Sequence, residues 1–145
     1  MIPYGKQTID ENDKQAVIEV LESDYLTTGP KVEEFESALC EYTGAQYAVA
    51  VSNGTAALHI SSLILLKKGD LVLTTPNSFL ATSNSILYAG AKPIFVDIKE
   101  DGNIDLDKCI EILEKNKNIK ALYVVHFSGN PVAVSYTHLT LPTKA

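Results

Sequence analysis

The 145-residue chain is 46% apolar, long enough for one domain with a real core and too short for two large ones. Its 18 acidic residues outnumber 12 basic ones, all of them lysine, and the formal charge is −6. Nucleic acid is excluded for want of a basic face. With no guanidinium fork, backbone amides, hydroxyls and lysines must hold any anionic ligand.

Taken in order, Met1 to Lys6 contains no apolar leader segment, and the longest apolar stretch, Leu63 to Leu66, is far too short to span a bilayer. A soluble cytoplasmic protein is expected, with no membrane partner. Cys40 and Cys109 fall on separate predicted helices without metal-ligand spacing, as buried thiols of a reducing compartment do. Thr8 to Glu11 fits a capping box, and Val17, Ile18, Val20 and Leu21 then predict an amphipathic helix ending near Ser23. The loop Asp24-Tyr25-Leu26-Thr27-Thr28-Gly29-Pro30 is dense in hydroxyl groups and closes on a helix breaker. A second helix follows, with Val32, Phe35, Leu39 and Tyr42 on one stripe and Gly44 just past its end.

From Tyr47 the chain alternates. A strand is expected over 47–51 and a helix over 55–67. Leu71 to Thr74, Pro93 to Val96 and Ile119 to Val125 read as further strands, with helices around Phe79 to Tyr88 and Leu106 to Leu113 between them. This spacing implies right-handed crossovers, and the fold class is α/β, a mainly parallel sheet with helices on both faces. Gly69-Asp70, Gly90-Ala91 and Asp101-Gly102 supply the return turns.

In such sheets ligands bind outside the carboxyl ends of the strands, where Ser52 to Thr55, Thr75 to Phe79 and His126 to Asn130 are expected to gather. The turn Ser52-Asn53-Gly54-Thr55-Ala56-Ala57 starts a helix whose unpaired N–H groups and dipole suit a phosphate, although plain capping explains the same residues. Neither G-x-G-x-x-G nor G-x-x-x-x-G-K-[ST] occurs, which disfavours dinucleotide and P-loop sites. Phe79 reads as a ring platform or as a core aromatic opening a helix. His126 reads as a site residue or as strand-end packing.

Four stretches carry a resemblance. They are Pro3 to Gln7, Tyr25 to Pro30 with Val32 to Glu36, Val51 to Leu58, and Thr75 to Asn84. In order and spacing they resemble the N-terminal part of the DegT/DnrJ/EryC1/StrS sugar aminotransferases, over nearly all of residues 1–132. The resemblance implies a truncated large domain of fold type I of the transferases that depend on pyridoxal 5'-phosphate (PLP). It divides the chain into a helical segment, 1–45, and part of the cofactor-binding domain, 46–132. It gives Gly54, Thr55 and Ala56 the cofactor phosphate and Phe79 the pyridine ring, and brings Tyr4, Asp24, Tyr25, Leu26 and Thr27 to a nucleotide-sugar substrate. The implied reaction is amination of a UDP-4-keto-6-deoxy amino sugar with glutamate as donor, in a homodimer.

The same chemistry needs a Schiff-base lysine and an acidic partner for the pyridine nitrogen. In the family both follow the fourth strand at positions this chain does not contain, so it is expected to hold no catalytic residue of its own and to be inactive. Two alternatives stand beside this reading: a sugar dehydratase of the same family, or a non-catalytic α/β module that binds a phosphate ligand. Residues 133–145 contain no acidic residue, repeat threonine every third position and include Pro142. They are expected to be a non-native tail, the other reading being an irregular natural terminus.

Overall fold

A computed structural model describes residues 5–133, and the chain divides into two compact units, residues 1–50 and 51–145. The first holds helices α1 (Glu11–Leu21) and α2 (Pro30–Thr43). The capping box of α1 lies two residues beyond the expected one. Asp10 accepts the Asp13 N–H at 3.0 Å and Asp13 accepts the Asp10 N–H at 2.9 Å. A carboxylate at both positions satisfies two orphan donors at the positive helix end, which Thr8 and Glu11 would have done with one fewer charge. Pro30 opens α2, where its missing N–H costs nothing. Gly44 closes it at φ +73 with its N–H on the Cys40 carbonyl. Neither helix buries a residue.

The strand expected over 47–51 does not form. A β-branched run becomes a strand only beside another, and this one pairs with none among the described residues. It is tied to α2 by the Ala50 N–H, which donates to Glu36 Oε1 at 2.7 Å.

The second unit alternates as expected: α3 (Gly54–Leu65), β1 (Leu71–Thr74), α4 (Ala81–Tyr88), β2 (Lys92–Phe95), α5 (Leu106–Lys115) and β3 (Ile119–Leu122). The three strands are parallel in the order β2-β1-β3, and the α/β class is borne out. β3 stops three residues short of Val125: the Tyr123 N–H still reaches the Leu73 carbonyl at 2.8 Å, but the Tyr123 carbonyl is taken by the Thr74 hydroxyl at 3.2 Å in place of a backbone donor.

Period-two alternation sends Val72 to one face with Leu66, Ile86, Ala91, Ala121 and Tyr123. Leu73 goes to the other with Val96, Ile104, Leu106, Cys109 and Ile119. Helices therefore cover both faces, α3 and α4 one and α5 the other. Each large aliphatic side chain buried this way contributes about 1.5–3 kcal/mol. A hydrogen bond ties α3 down as well: the buried Ser62 hydroxyl donates to the Leu58 carbonyl, so Tyr123 Oη donates to Ser62 Oγ, at 2.9 Å.

Candidate functional site

The strand order places a topological switch point between β1 and β3, since the chain leaves β1 toward β2 on one side and returns to β3 on the other. The loops that follow β1 and β3 flank the crevice where open α/β sheets hold their ligands. Residues 75–79 and 126–130 are those loops.

α3 runs back to the start of β1 through the short connection 66–70, so its N-terminus lies toward the same carboxyl edge. Asn53 is the N-cap, and its side-chain oxygen accepts the Ala56 N–H at 2.9 Å. The Asn53 carbonyl takes the Ala57 N–H at 3.2 Å. Among the described residues, the Gly54 N–H, the Thr55 N–H and the Thr55 hydroxyl have no partner. Three donors therefore stand open at the positive end of a twelve-residue helix, an arrangement that fits a phosphate. Gly54 does not use left-handed backbone to make the turn, which Asn53 makes with an extended conformation. A Cβ at this position would meet nothing within 4 Å, so neither backbone conformation nor space within the described residues requires the glycine.

Thr75, only 2% exposed, accepts the Asn77 N–H at 3.1 Å and so shapes the loop after β1. Ser78 and Thr82 hydroxyls join at 2.7 Å, tying the loop to α4. α4 begins at Ala81, and Phe79 stands before it with 79% of its surface exposed. The core-aromatic reading of Phe79 fails within these residues; its ring is a free face. Phe79 borders a pocket of about 190 Å³ with Thr75, Pro76, Ser78 and Phe95.

After β3, His126 accepts the Val132 N–H through Nδ1 at 3.0 Å, and the neutral ring therefore carries its proton on Nε2. Val132 is buried in the α5-side core, so this bond holds the ring to a fixed element. Ser128 and Gly129 follow in left-handed conformation.

Gly54, Thr55, Ala56 and Phe79 all lie in the unit of residues 51–145. Asp24, Tyr25, Leu26 and Thr27 lie in the other, in the connection between α1 and α2, where Tyr25, Leu26 and Thr27 line a second pocket of about 190 Å³ with Val20, Pro30 and Val32. Tyr4 and residues 134–145 lie outside the described residues. Reading the sequence passed over one participant at the carboxyl edge. The loop 97–105 looks like a polar return with an Asp-Gly turn, but Asn103 in it is 5% exposed and its side chain is bonded to three other residues.

Among the described residues of the 51–145 unit, the lysines lie away from the crevice or are paired. Lys67 and Lys68 follow the C-terminus of α3, while Lys99 and Lys108 are engaged by Asp97, Asp105 and Asp107. The Asp97 carboxyl is held below its ordinary range, first by the Ile98 N–H and then by Lys108. No helix among the described residues is long and apolar enough to cross a membrane.

Comparison with known proteins places the chain among sugar aminotransferases and related enzymes. The chain is 49% identical over 133 residues to the UDP-4-amino-4,6-dideoxy-N-acetyl-beta-L-altrosamine transaminase of Campylobacter jejuni strain 81-176, a match covering 91% of this chain and 35% of the relative. Its structure resembles Helicobacter pylori PseC, an aminotransferase involved in the biosynthesis of pseudoaminic acid, with 36% identity and a TM-score of 0.85 over 92% of this chain and 36% of that one. It also resembles the E. coli GDP-4-keto-6-deoxy-D-mannose-3-dehydratase with bound hydrated PLP, with 29% identity and a TM-score of 0.86 over 93% and 36%. The chain thus spans about a third of the length of these relatives. A family model matches residues 7–138, nearly the whole chain: the chain belongs to the DegT/DnrJ/EryC1/StrS aminotransferase family.

Proposed function

We propose that this chain forms the phosphate cradle and ring platform of a PLP-dependent aminotransferase acting on a UDP-4-keto-6-deoxy amino sugar, with glutamate as amino donor. The observation that carries the reading is the trio of unpartnered donors on Gly54 and Thr55, set at the carboxyl edge of a parallel sheet in a chain of this family. When bound, PLP supplies an electron sink. The residues here bind and orient it.

The Gly54 and Thr55 N–H groups and the Thr55 hydroxyl take the phosphate oxygens. Ala56 joins them only if Asn53 releases its N–H, so the cap is in competition with the third amide. Phe79 covers one face of the pyridine ring with its exposed side chain and excludes water from it. His126, its Nδ1 already occupied, offers Nε2–H as a donor toward an oxygen in the crevice. The loop of Asp24, Tyr25, Leu26 and Thr27, together with Tyr4, meets the sugar nucleotide through hydroxyl and amide groups. The relative named as a UDP-sugar transaminase supports this substrate class. A homodimer is the proposed assembly of the whole enzyme.

Among the described residues of the 51–145 unit no lysine is placed to hold the cofactor covalently, and the 145 residues by themselves are proposed not to transaminate. The test is a titration of the chain with PLP and, in parallel, with pyridoxal, which lacks the phosphate. PLP is expected to bind and pyridoxal not. Thr55→Val and Phe79→Ala should each weaken PLP by about tenfold, the loss of one charge-assisted hydrogen bond or one stacked ring. Borohydride should leave no pyridoxyl group concentrated on one lysine. Equal binding of PLP and pyridoxal would overturn the phosphate assignment, and turnover of a UDP-4-keto sugar with glutamate would overturn the proposed inactivity.

A further inference from the structure

The three loops at the carboxyl edge are joined through one short turn, Asp101-Gly102-Asn103. Asn103 uses nearly all its bonding capacity there. Its Oδ1 accepts the Phe127 N–H at 3.0 Å, and its Nδ2 donates to the Asn130 carbonyl at 3.3 Å and to Asp101 Oδ2 at 3.2 Å. Asp101 in turn accepts the Asn130 side-chain N–H at 3.3 Å. Both ends of the segment 127–130 are therefore held by a single buried side chain.

Gly102 adds a second constraint. It sits at φ +83, and a Cβ there would lie 2.5 Å from Phe127 Cδ1, so the Phe127 ring rests directly on the turn. The Gly102 carbonyl accepts the Asn77 side-chain N–H at 2.9 Å, which brings in the loop that carries Phe79. The segment so held includes Ser128, a non-glycine residue in left-handed conformation, and that state persists only where the surroundings over-determine it.

This segment lies between His126 and the residue that fixes its ring. The Val132 N–H reaches back across six residues to His126 Nδ1, which is possible only while 127–131 keeps its folded-back path. We propose that Asn103 is a positioning residue: by holding Phe127 and Asn130 it sets the single tautomer of His126 and aims its Nε2–H into the crevice at the β1–β3 switch point. Asn103 touches no ligand in this scheme and acts only through His126. The ligand part rests on the PLP reading, whereas the tautomer part does not.

The experiment uses the 145-residue chain labelled with nitrogen-15. Long-range proton–nitrogen spectra, recorded where the imidazole is neutral, should show His126 as the Nε2–H tautomer. Asn103→Ala should mix the two tautomers and speed exchange of the Phe127 and Val132 amides by about tenfold, the size of one lost hydrogen bond, while thermal unfolding stays a single transition. Asn103→Asp keeps the acceptor for Phe127 but cannot donate to Asn130. It should retain Phe127 protection and still lose the single tautomer, and it decides the matter where the alanine variant does not fold. An unchanged Nε2–H tautomer in the folded variants overturns the proposal.

PLP titration supplies the coupling. Asn103→Ala should weaken PLP about as much as His126→Ala, and the double variant should be no weaker than His126→Ala alone. Additive losses would overturn the route through His126. Failure of the unmodified chain to bind PLP would sink the cofactor reading instead, and the tautomer result would then decide this one.

Discussion

The two units of the chain are built on opposite terms. Helix α1 has a capping box and α2 a left-handed glycine at its end, yet both bury nothing, whereas the unit from Val51 has two apolar clusters, one on each face of its sheet. Phe35 is 55% exposed on its stripe and Leu73 is fully buried. Local signals are thus enough to define where a helix starts and stops, but they contribute only tenths to about one kcal/mol each. Cooperative stability comes from side chains with neighbours on every side.

Core truncation should separate the units most widely. Leu73→Ala is expected to destabilise the 51–145 unit by about 2–5 kcal/mol, whereas Phe35→Ala should cost under about 0.5 kcal/mol. Urea unfolding followed by circular dichroism measures both, and equal losses would show that the first unit has a core of its own.

Thiol chemistry gives the next contrast. The Cys109 thiol is raised to about 11, chiefly by burial and then by the nearby charge of Asp105, from an ordinary 9.0. The folded chain therefore holds this proton more tightly than the unfolded one. That contribution is intact below pH 9.0 and is lost as the pH climbs toward 11. Stability measured across this range should fall for the native chain and fall less for Cys109→Ala. A thiol reagent at neutral pH should label the half-buried Cys40 of α2 first and reach Cys109 only on unfolding.

The smallest expected effect concerns the caps. Asn53→Ala and Asp10→Ala should each remove about 0.5–2 kcal/mol of local helix stability. Only the first should register in global unfolding, because only α3 packs onto a cooperative core. Amide exchange of Ala56 and Asp13 checks this, and a global loss from Asp10→Ala would break the contrast.

Much of this was legible beforehand, for identifiable reasons. Strict alternation with short turns fixed β1, α4, β2, α5 and β3 to within a few residues, because each element's pattern and its turn agree. The run 47–51 shows the same β-branched signal, yet strand formation depends on a partner and no local pattern reports one. Gly44 was readable as a cap since left-handed backbone there has a residue signature. The role of Asn103 escaped because its three partners lie 2, 24 and 27 positions away. Side-chain networks between loops leave no period in a sequence.

The central place of β1 also sets an order of events. Leu71 pairs with Lys92 on one side and with Ile119 on the other, so the strand is synthesised early and completed late. Until Ile119 has been made, one edge of β1 has no neighbour, and its buried Val72 and Leu73 lack half their shelter. Proline at position 93 offers little to an intruding chain on the β2 edge, which leaves the β3 side as the edge a nascent copy has to protect. A chain of this kind should need chaperone help in proportion to how slowly residues 96–122 are delivered.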